Sequence, residues 1–538
     1  MTGTRPADLA ERVPARTGQH TPRRPPAWTA TAVPAVAALA LGLWGLGRHH
    51  SMWRDESVTW QVAHRPLPDL WGLLGQVDAV HGLYYLLMHG LFAVWEGGLT
   101  ALRLPSVLAT AVAAAGVGAV GRRLAGTRAG LLSGVTFAAL PMVQQYAQEG
   151  RAYALVCAAV VWATYALLRG AAGAGTGTGA GTGAGAGTGA GAGTGAGART
   201  GTGTGAGTGT GAWTAYAFLL ALACWLNEFA ALVLVAHALT LWRSAAPRPV
   251  VRRWATAAAA ALTTVVPLAV VSARQAERQL GWLGRPSVSA WLMFAALTIA
   301  GLLLSRYLCH RTAPAPTAAV ALPLLVAPTG LLMTVSLIKP WYVDRYVLYG
   351  MAGLALLAGA ALDRLLAGTG PCVLGTRRLP RRGVVWTLTL AAFAVLLPWS
   401  LQVRSVDSRK DDVIAVQKAV RAEAGAADGV LFLPARRREW LLSSPGTYDR
   451  VRDLALDRSP AASRTLEGTE LPAAVIRRRI LAADRVLALT DPLGQPLDPY
   501  PQEAVKRDTL RDHFEACRTY TLHGARVVVY ARPGHCTG

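Results

Sequence analysis

Acidic residues are scarce in this chain of 538 residues, which has 30 of them against 53 Lys and Arg. Only 15% of the residues are charged while 52% are hydrophobic, which argues against an ordinary soluble enzyme. The six cysteines show no CxxC or His-paired spacing, so a structural zinc site is not expected. Residues 1–26 are Arg- and Pro-rich without an apolar core, which argues against a signal peptide and predicts a disordered cytoplasmic tail.

Long apolar runs are what the sequence has in abundance. Runs of roughly 18 to 22 residues are long enough to cross the ~30 Å hydrocarbon layer as helices. The net charge of +23 comes from Arg in short loops between these runs, which is the pattern of the positive-inside rule rather than of nucleic-acid binding. The sequence therefore predicts a multi-pass protein of the cell (plasma) membrane. The predicted spans are 27–47, 104–121, 129–147, 151–169, 213–226, 228–242, 254–272, 288–305, 317–338, 343–365 and 384–402.

The segment 82–96 decides the predicted topology. If it crossed the membrane, the Arg-rich loops at 122–128, 243–253, 306–311 and 364–382 would all lie outside. Its apolar run is only about 14 residues long, so we interpret it as a re-entrant or membrane-surface helix. About eleven transmembrane helices follow, with the N-terminus in the cytoplasm and the C-terminus outside.

Within the predicted membrane domain, 27–402, one stretch has an unusual composition. Residues 171–212 are almost wholly Gly, Ala and Thr. Repeated glycine keeps the backbone entropy high and offers no side chains to bury, so this stretch is predicted to be a flexible, low-complexity linker. The topology assigns it to a cytoplasmic loop.

After the last span the composition changes, and residues 403–538 are rich in charge. Strand-length apolar runs at 429–433, 485–489 and 526–530 alternate with helical stretches, which predicts a small extracytoplasmic α/β domain with a partly parallel sheet. A disulfide between the last two cysteines of this domain is compatible with that compartment. Spacing alone leaves both a bonded pair and two free thiols open for them. These cysteines are Cys517 and Cys536.

Two adjacent acids, Asp55 and Glu56, follow the first predicted span. A single acid here could be a solvated boundary residue, but two acids between Trp53 and Trp60 favour a functional site. A carboxylate in a partly desolvated pocket can take a proton from an attacking hydroxyl. Asp55 and Glu56 are therefore the candidate catalytic residues, with Asp55 as the general base and Glu56 in support.

A second polar stretch, DAVHGLYY, begins at Asp78 and leads into the segment 82–96. Alone, His81 would be read as an interfacial histidine without catalytic duty. The acid before it and the pair Tyr84 and Tyr85 after it favour a cavity, because irregular backbone in a membrane is tolerated where it lines one. These four residues are candidate substrate-binding residues.

Two further stretches carry arginine at predicted outer boundaries. In QQYAQEGRAY, polar residues are dense between two apolar runs, and Arg151 suits a phosphate, although an arginine snorkelling to headgroups is the alternative. In KPWYVDRY, Lys339 and Arg345 flank aromatic residues that could face a sugar or a prenyl chain. Glu149, Arg151, Lys339, Arg345 and Tyr346 complete the predicted substrate-binding set.

Taken in order, these stretches resemble the family 39 type of membrane glycosyltransferases, which are GT-C fold enzymes related to protein O-mannosyltransferases and to the lipid A aminoarabinose transferase. The resemblance covers residues 27–402. It rests on the acidic pair and on the stretches DAVHGLYYLL, LRLPSVLA, GRRLAGTRAG, QEGRAYAL and DRYVLYGMAGLALLAG.

This resemblance implies an all-α polytopic membrane protein of GT-C type and inverting transfer of a sugar from a polyprenyl-phosphate donor. The sugar would be mannose-like or a pentose, and the extracytoplasmic acceptor a glycan, a lipid or a protein. Asp55 matches the family's first-loop catalytic acid, and Arg151 and Arg345 match positions near the lipid phosphate. The chain departs from the family at Val80–Gly82, where prolines are absent, and has only Glu149 where some relatives carry a second aspartate.

Two other functions fit a protein with many spans. A transporter or flippase of lipid-linked sugars would be expected to show an internal repeat and polar residues at the bilayer midplane. No inverted repeat is visible, and the polar stretches collect at one face. A membrane-anchored binding protein would leave the many spans with little to do. No cofactor is expected; some GT-C enzymes use a divalent metal, but nothing in this sequence requires one.

Overall fold

The computed structural model describes residues 25–173, 207–281, 283–309, 316–367, 372–374, 377–379, 381–425 and 429–536. Most of the predicted tail and of the predicted linker 171–212 lies outside the described residues. The fold is mostly helical, with a small sheet near the C-terminus, as the sequence predicts.

Helices make up the first three quarters of the described chain. They are α1 (Thr29–Leu43), α2 (Arg54–Ala63), α3 (Leu67–Leu74), α4 (Gly82–Val94), α5 (Gly98–Ala125), α6 (Thr127–Ala139), α7 (Pro141–Ala147), α8 (Tyr153–Gly173), α9 (Gly207–Leu226), α10 (Val233–Arg243), α11 (Arg248–Leu280), α12 (Val288–Leu308), α13 (Pro316–Val335), α14 (Gly350–Ala367) and α15 (Arg381–Gln402). Short 3-10 turns connect several of them.

Seven helical segments of the described chain are long and apolar enough to cross a membrane, namely Thr29–His50, which is α1 with the turns after it, and α5, α8, α11, α12, α13 and α14. The other predicted spans coincide with shorter or interrupted helices: α6 with α7, α9, α10 and α15. The run predicted as one span at 129–147 is broken because Leu140 adopts an extended backbone and Pro141 starts a new helix.

Small residues allow the first helices to pack closely. A Cβ atom added at Gly118 of α5 would lie 1.7 Å from the carbonyl oxygen of Ala30 in α1, so only glycine fits there. At the other end of this antiparallel pair, Arg103 of α5 donates to the carbonyl oxygen of Leu46 at 2.7 Å. We call this end, where α1 ends and α5 begins, the site end of the bundle.

The segment that connects α1 to α5 therefore begins and ends at the site end of the bundle. Within it, α4 has 13 residues, about 20 Å of helix at 1.5 Å per residue, which is shorter than the ~30 Å hydrocarbon layer. His89 of α4 lies against α2, with Nδ1 2.8 Å from the carbonyl oxygen of Ala63. That this segment is a re-entrant or surface helix stays a prediction. The compartment that the site end faces stays a prediction.

The last quarter of the chain forms an α/β region. Its helices are α16 (Val413–Glu423), α17 (Glu439–Leu442), α18 (Pro445–Tyr448), α19 (Pro460–Ser463), α20 (Ala473–Leu481) and α21 (Pro501–His513). The strands of the chain are β1 (Cys372–Leu374), β2 (Arg377–Leu379), β3 (Gly429–Leu433), β4 (Arg452–Asp453), β5 (Leu456–Arg458), β6 (Thr469–Glu470), β7 (Arg485–Thr490), β8 (Glu515–Leu522) and β9 (Ala525–Ala531).

The main sheet of this region has the order β4-β3-β7-β9-β8. β4, β3 and β7 are parallel, whereas β9 runs antiparallel to β7 and to β8. The predicted partly parallel sheet and its three predicted strands are confirmed. All five residues of β3 are buried, as expected for a central strand covered on both faces. A disulfide joins Cys517 to Cys536, with Cα atoms 5.3 Å apart, and so resolves the alternative left open by the sequence.

The α/β region packs directly on the site end of the bundle. The backbone N–H of Val413 donates to the carbonyl oxygen of Met52 at 2.7 Å, just before α2 begins. Ser57 of α2 donates to the carbonyl oxygen of Glu439 at 2.6 Å. The helix that carries the two candidate catalytic acids is therefore held between the membrane helices and the C-terminal region.

Candidate active site at the site end of the bundle

Helix α2 places both acids in its first turn, where a carboxylate interacts favourably with the helix dipole. Glu56 also reaches back toward the backbone N–H of Trp53, at 3.4 Å. Consecutive helical residues point about 100° apart, so the two carboxylates enter different surroundings.

Glu56 lies in a closed ion cluster. Arg103 donates to both of its carboxylate oxygens at 2.7 Å, and Arg48 donates to them at 2.9 and 2.8 Å. The three side chains are fully buried, and the N–H of Gly150 adds a bond of 3.1 Å. Burial alone would raise the pKa of Glu56, but the two arginines outweigh it and lower the pKa to about 2. The structure thus gives Glu56 no access to a substrate, and any support that it lends to catalysis is indirect.

Asp55 lies at an accessible place instead. Its Oδ2 is 3.3 Å from Nη2 of Arg345, and the side chains are 16% and 11% exposed. Burial alone would raise the pKa of Asp55, but Arg345 and Arg151 more than offset this and hold the pKa below its usual value. Asp55 is therefore an ionised, solvent-reachable carboxylate between cations.

Aromatic rings surround the guanidinium of Arg345. Its Nε donates to the hydroxyl of Tyr153 at 3.0 Å. The carbon of the guanidinium lies 5.3 Å from the ring centre of Tyr153, 5.5 Å from that of Trp53 and 6.0 Å from that of Tyr346. Cation–π contacts of this kind keep the guanidinium among these rings, and the ion pair with Asp55 uses only its Nη2. The rings also offer flat apolar faces beside the carboxylate.

The second arginine, Arg151, is held by the predicted DAVHGLYY stretch. Its Nη2 lies 2.8 Å from Nε2 of His81, and its Nη1 lies 3.5 Å from the hydroxyl of Tyr85. Arginine has only donors, so Nε2 of His81 accepts and the ring is neutral. This agrees with the pKa of His81, which burial and the charge of Arg151 lower to about 3. Tyr85 in turn donates to Asp78 at 2.7 Å, and Asp78 has a left-handed backbone, with φ of 62°.

The other predicted site residues have different positions. Glu149 is buried, burial raises its pKa, and its Oε2 has no hydrogen-bond partner within the described residues. Tyr84 belongs to the hydrophobic core of the membrane bundle. Lys339 is exposed and forms no ion pair with any described residue, so the structure does not bring it into the site.

Several residues of the site were not predicted from the sequence. Arg48 and Arg103 bind Glu56, and Tyr153 binds Arg345. Arg103 carried a signal, since a charge within the apolar stretch LRLPSVLA is expensive in a membrane. The segment Arg409–Asp411 carried none, because it follows the last membrane helix and reaches the site only through the fold.

The described residues contain no group of three or more His, Cys, Asp or Glu side chains that could hold a metal ion. The positive charge that acts on Asp55 comes mainly from Arg345 and Arg151, with smaller contributions from Arg54 and Lys410. Arginine recognises phosphate through paired N–H donors.

Comparison with solved structures supports this architecture. The chain resembles ArnT from Cupriavidus metallidurans bound to undecaprenyl phosphate, with a TM-score of 0.55 and 15% identity over 94% of this chain and 98% of ArnT. The chain has the GT-C glycosyltransferase fold. The apo state of the same ArnT gives a TM-score of 0.53 over the same shares of the chains.

Two other comparisons gave weaker matches. The family model described as dolichyl-phosphate-mannose-protein mannosyltransferase matches residues 83–193. Archaeal oligosaccharyltransferase AglB from Archaeoglobus fulgidus, solved with an inhibitory peptide and a dolichol-phosphate, gives a TM-score of 0.45 at 11% identity, covering 86% of this chain and 69% of AglB. No curated protein matches the chain by sequence. The resemblance to GT-C glycosyltransferases predicted from the sequence is confirmed.

Proposed function

We propose that this GT-C protein is a glycosyltransferase that moves a sugar from a polyprenyl-phosphate donor to an acceptor on the extracytoplasmic face. The observation that carries the proposal is the arrangement of Asp55, Arg345 and Arg151. One accessible ionised carboxylate lies beside two guanidinium groups, although the three residues come from separate segments of the chain. The ArnT structure that shares this fold contains undecaprenyl phosphate, the class of anion that such arginines suit.

The proposed reaction is a single displacement with inversion. The acceptor hydroxyl attacks the anomeric carbon from the face opposite the phosphate, and its proton passes to Asp55. The bond between the anomeric carbon and the phosphate oxygen breaks, and its electron pair leaves with the polyprenyl phosphate. Arg151 and Arg345 stabilise the negative charge that develops on this leaving group.

The lowered pKa of Asp55 sets the order of events. A weak base takes a proton easily only after the hydroxyl oxygen has begun to bond to the anomeric carbon, which makes the hydroxyl acidic. We propose that Arg345 turns from Asp55 to the donor phosphate when the donor binds. Asp55 would then lose a neighbouring cation and become a better base inside the complex.

The sugar and the acceptor remain open within this proposal. A mannose-like sugar or a pentose is compatible with the resemblance, and the acceptor is a glycan, a lipid or a protein. Labelled polyprenyl-phosphate sugars offered to purified membranes, with identification of the labelled product, would determine both.

The first test replaces the base. Asp55→Asn keeps the shape of the side chain but cannot accept the proton, and a general base typically contributes about 100- to 10,000-fold. We expect sugar transfer in membranes to fall by at least about 100-fold, with the protein still folded and inserted. Asp407→Asn is the control, because this aspartate side chain is 81% exposed. Full activity of Asp55→Asn would remove Asp55 from the mechanism.

A further inference from the structure

The segment that joins α15 to the C-terminal region passes through the site. Arg409 donates to the carbonyl oxygen of Gln145 at 2.8 Å and is buried. The charge of Lys410 contributes to lowering the pKa of Asp55. The next residue, Asp411, is only 5% exposed and reaches α2 itself. The C-terminal region therefore supplies consecutive residues to the surroundings of Asp55.

Asp411 accepts the first free N–H of α2. Its Oδ1 is 2.8 Å from the backbone nitrogen of Arg54, the residue at which the helix begins. The first N–H groups of a helix have no partner within the helix, and a side-chain oxygen just before it normally supplies one. Trp53 precedes α2 and has no side-chain oxygen, so the chain itself provides no such cap at this point.

Other contacts fix the position of Asp411. Its Oδ2 accepts from Nε1 of Trp440 at 3.0 Å. On either side of it, Val413 is bonded to Met52 and Arg409 to Gln145 in α7. The carboxylate is thus held by the C-terminal region and presented to the helix in a single orientation.

We infer that Asp411 is a positioning residue that caps α2 from the C-terminal region and so holds Asp55 in its working geometry. Asp55 is the residue directly after the capped N–H, and a shift of the first turn moves its carboxylate relative to Arg345. This inference rests on the proposed role of Asp55. It gives the C-terminal region a role in positioning the catalytic residue, in addition to its packing on the membrane helices.

The neighbouring residue Asp412 provides a matched control. It caps α16 within its own domain, where its Oδ1 accepts from the N–H groups of Ile414 and Ala415 at 3.1 and 3.3 Å. Removing either cap removes a carboxylate from a helix N-terminus in the same loop. Only Asp411 caps the helix that carries Asp55.

The experiment compares Asp411→Ala with Asp412→Ala in the full-length protein. Misplacement of a reacting group by about 1 Å can cost about 100-fold in rate. We expect Asp411→Ala to lower kcat by about 10- to 100-fold while KM for the donor changes by less than about threefold. Asp412→Ala is expected to leave kcat and KM unchanged, even if its thermal midpoint falls by as much as that of Asp411→Ala. Asp411→Asn keeps one acceptor oxygen and is expected to restore part of kcat.

Hydrogen exchange gives a readout that does not depend on activity. The peptide from Met52 to Trp60 is expected to exchange faster in Asp411→Ala than in the wild type, and at the wild-type rate in Asp412→Ala. Equal kcat and equal exchange in both alanine variants would overturn the inference while leaving the proposed function intact. If Asp411→Ala does not fold, Asp411→Leu, which keeps the approximate shape of the side chain without an acceptor oxygen, is compared with Asp412→Leu instead. Full activity of Asp55→Asn would instead remove Asp55 from the mechanism, and with it the catalytic part of this inference, whereas absence of sugar transfer in the wild type would overturn the proposed function.

Discussion

Asp55 and Glu56 are neighbours in the chain and in one helical turn, yet they have opposite surroundings. Glu56 is enclosed by Arg48 and Arg103, and no part of the three side chains reaches solvent. Asp55 pairs with Arg345 at a longer distance and stays partly exposed. One carboxylate therefore joins α2 to the membrane bundle, while the other remains available to a substrate.

The ion pairs at this site therefore have two different functions, one structural and one, as we propose, in substrate binding. A buried pair whose carboxylate accepts hydrogen bonds at both oxygens, as Glu56 does, is rigid, and the removal of one partner leaves uncompensated charge. A pair at an opening can exchange one partner for a ligand. The same helix needs both, since Asp55 can be placed accurately only if the turn that bears it is fixed elsewhere.

The largest effect on stability is expected from Glu56→Ala. It leaves Arg48 and Arg103 buried without their anion, and the loss of one partner of a buried pair typically costs about 3–5 kcal/mol. Asp55→Ala is expected to cost less, because its ion pair with Arg345 is longer and both side chains keep some contact with solvent. Thermal unfolding in detergent measures both variants. Equal loss of stability in the two variants would contradict the assignment of a structural role to Glu56 and an open, substrate-facing position to Asp55.

The cluster of Glu56 also predicts how stability depends on pH. The pKa of Glu56 is lowered to about 2 in the folded protein from a usual value of 4.5, by arginines that outweigh burial. The stabilising contribution is therefore present above about pH 4.5 and is lost as the pH falls toward 2. Glu56→Ala should lack this acid-dependent loss, which a pH series of the same unfolding experiment would reveal.

A smaller effect, on donor affinity, is expected from the arginines on the open side. Lysine cannot bind phosphate through two parallel N–H donors. Arg345→Lys also loses the bond to Tyr153, and Arg151→Lys loses the contact with His81. We expect each to raise KM for the polyprenyl-phosphate donor about tenfold, which equals about 1.4 kcal/mol. Arg452→Lys, at an exposed arginine, is the control, and an unchanged KM in both site variants would exclude the arginines from donor binding.

The smallest effect concerns the acid limb of the pH–rate profile. In the free enzyme Arg345 and Arg151 hold the pKa of Asp55 below its usual value, although burial alone would raise it. If Arg345 turns to the phosphate in the complex, the pKa of Asp55 rises. The limb of kcat should then lie at higher pH than the limb of kcat/KM, since the two report the complex and the free enzyme. Coincident limbs would show that Arg345 does not change partners.

Loop charge and span length predicted much of this site. Asp55, Arg151 and Arg345 come from separate loops, and their meeting follows from counting membrane crossings. The three strands at 429–433, 485–489 and 526–530 were visible because they are short apolar runs in a charged region. Patterns of this kind identify which segments lie at the same end of the bundle.

Loop charge and span length could not predict which side chains contact each other. The sequence does not say that Glu56 turns inward to Arg48 and Arg103, because one helical step decides between the core and the opening. Lys339 and Arg345 looked equivalent as cations beside aromatic residues, yet only Arg345 is turned toward Asp55. Asp411 depends on contacts between distant segments, which hydropathy does not encode.

The bond between Arg54 and Asp411 joins residues 357 positions apart. During synthesis α2 is made long before its cap, and most of the membrane helices are inserted in between. The first turn of α2 can be closed only after the C-terminal region has folded on the same side of the bilayer. The protein would thus acquire its working site as the last step of its biogenesis, after the whole chain has been delivered to its place.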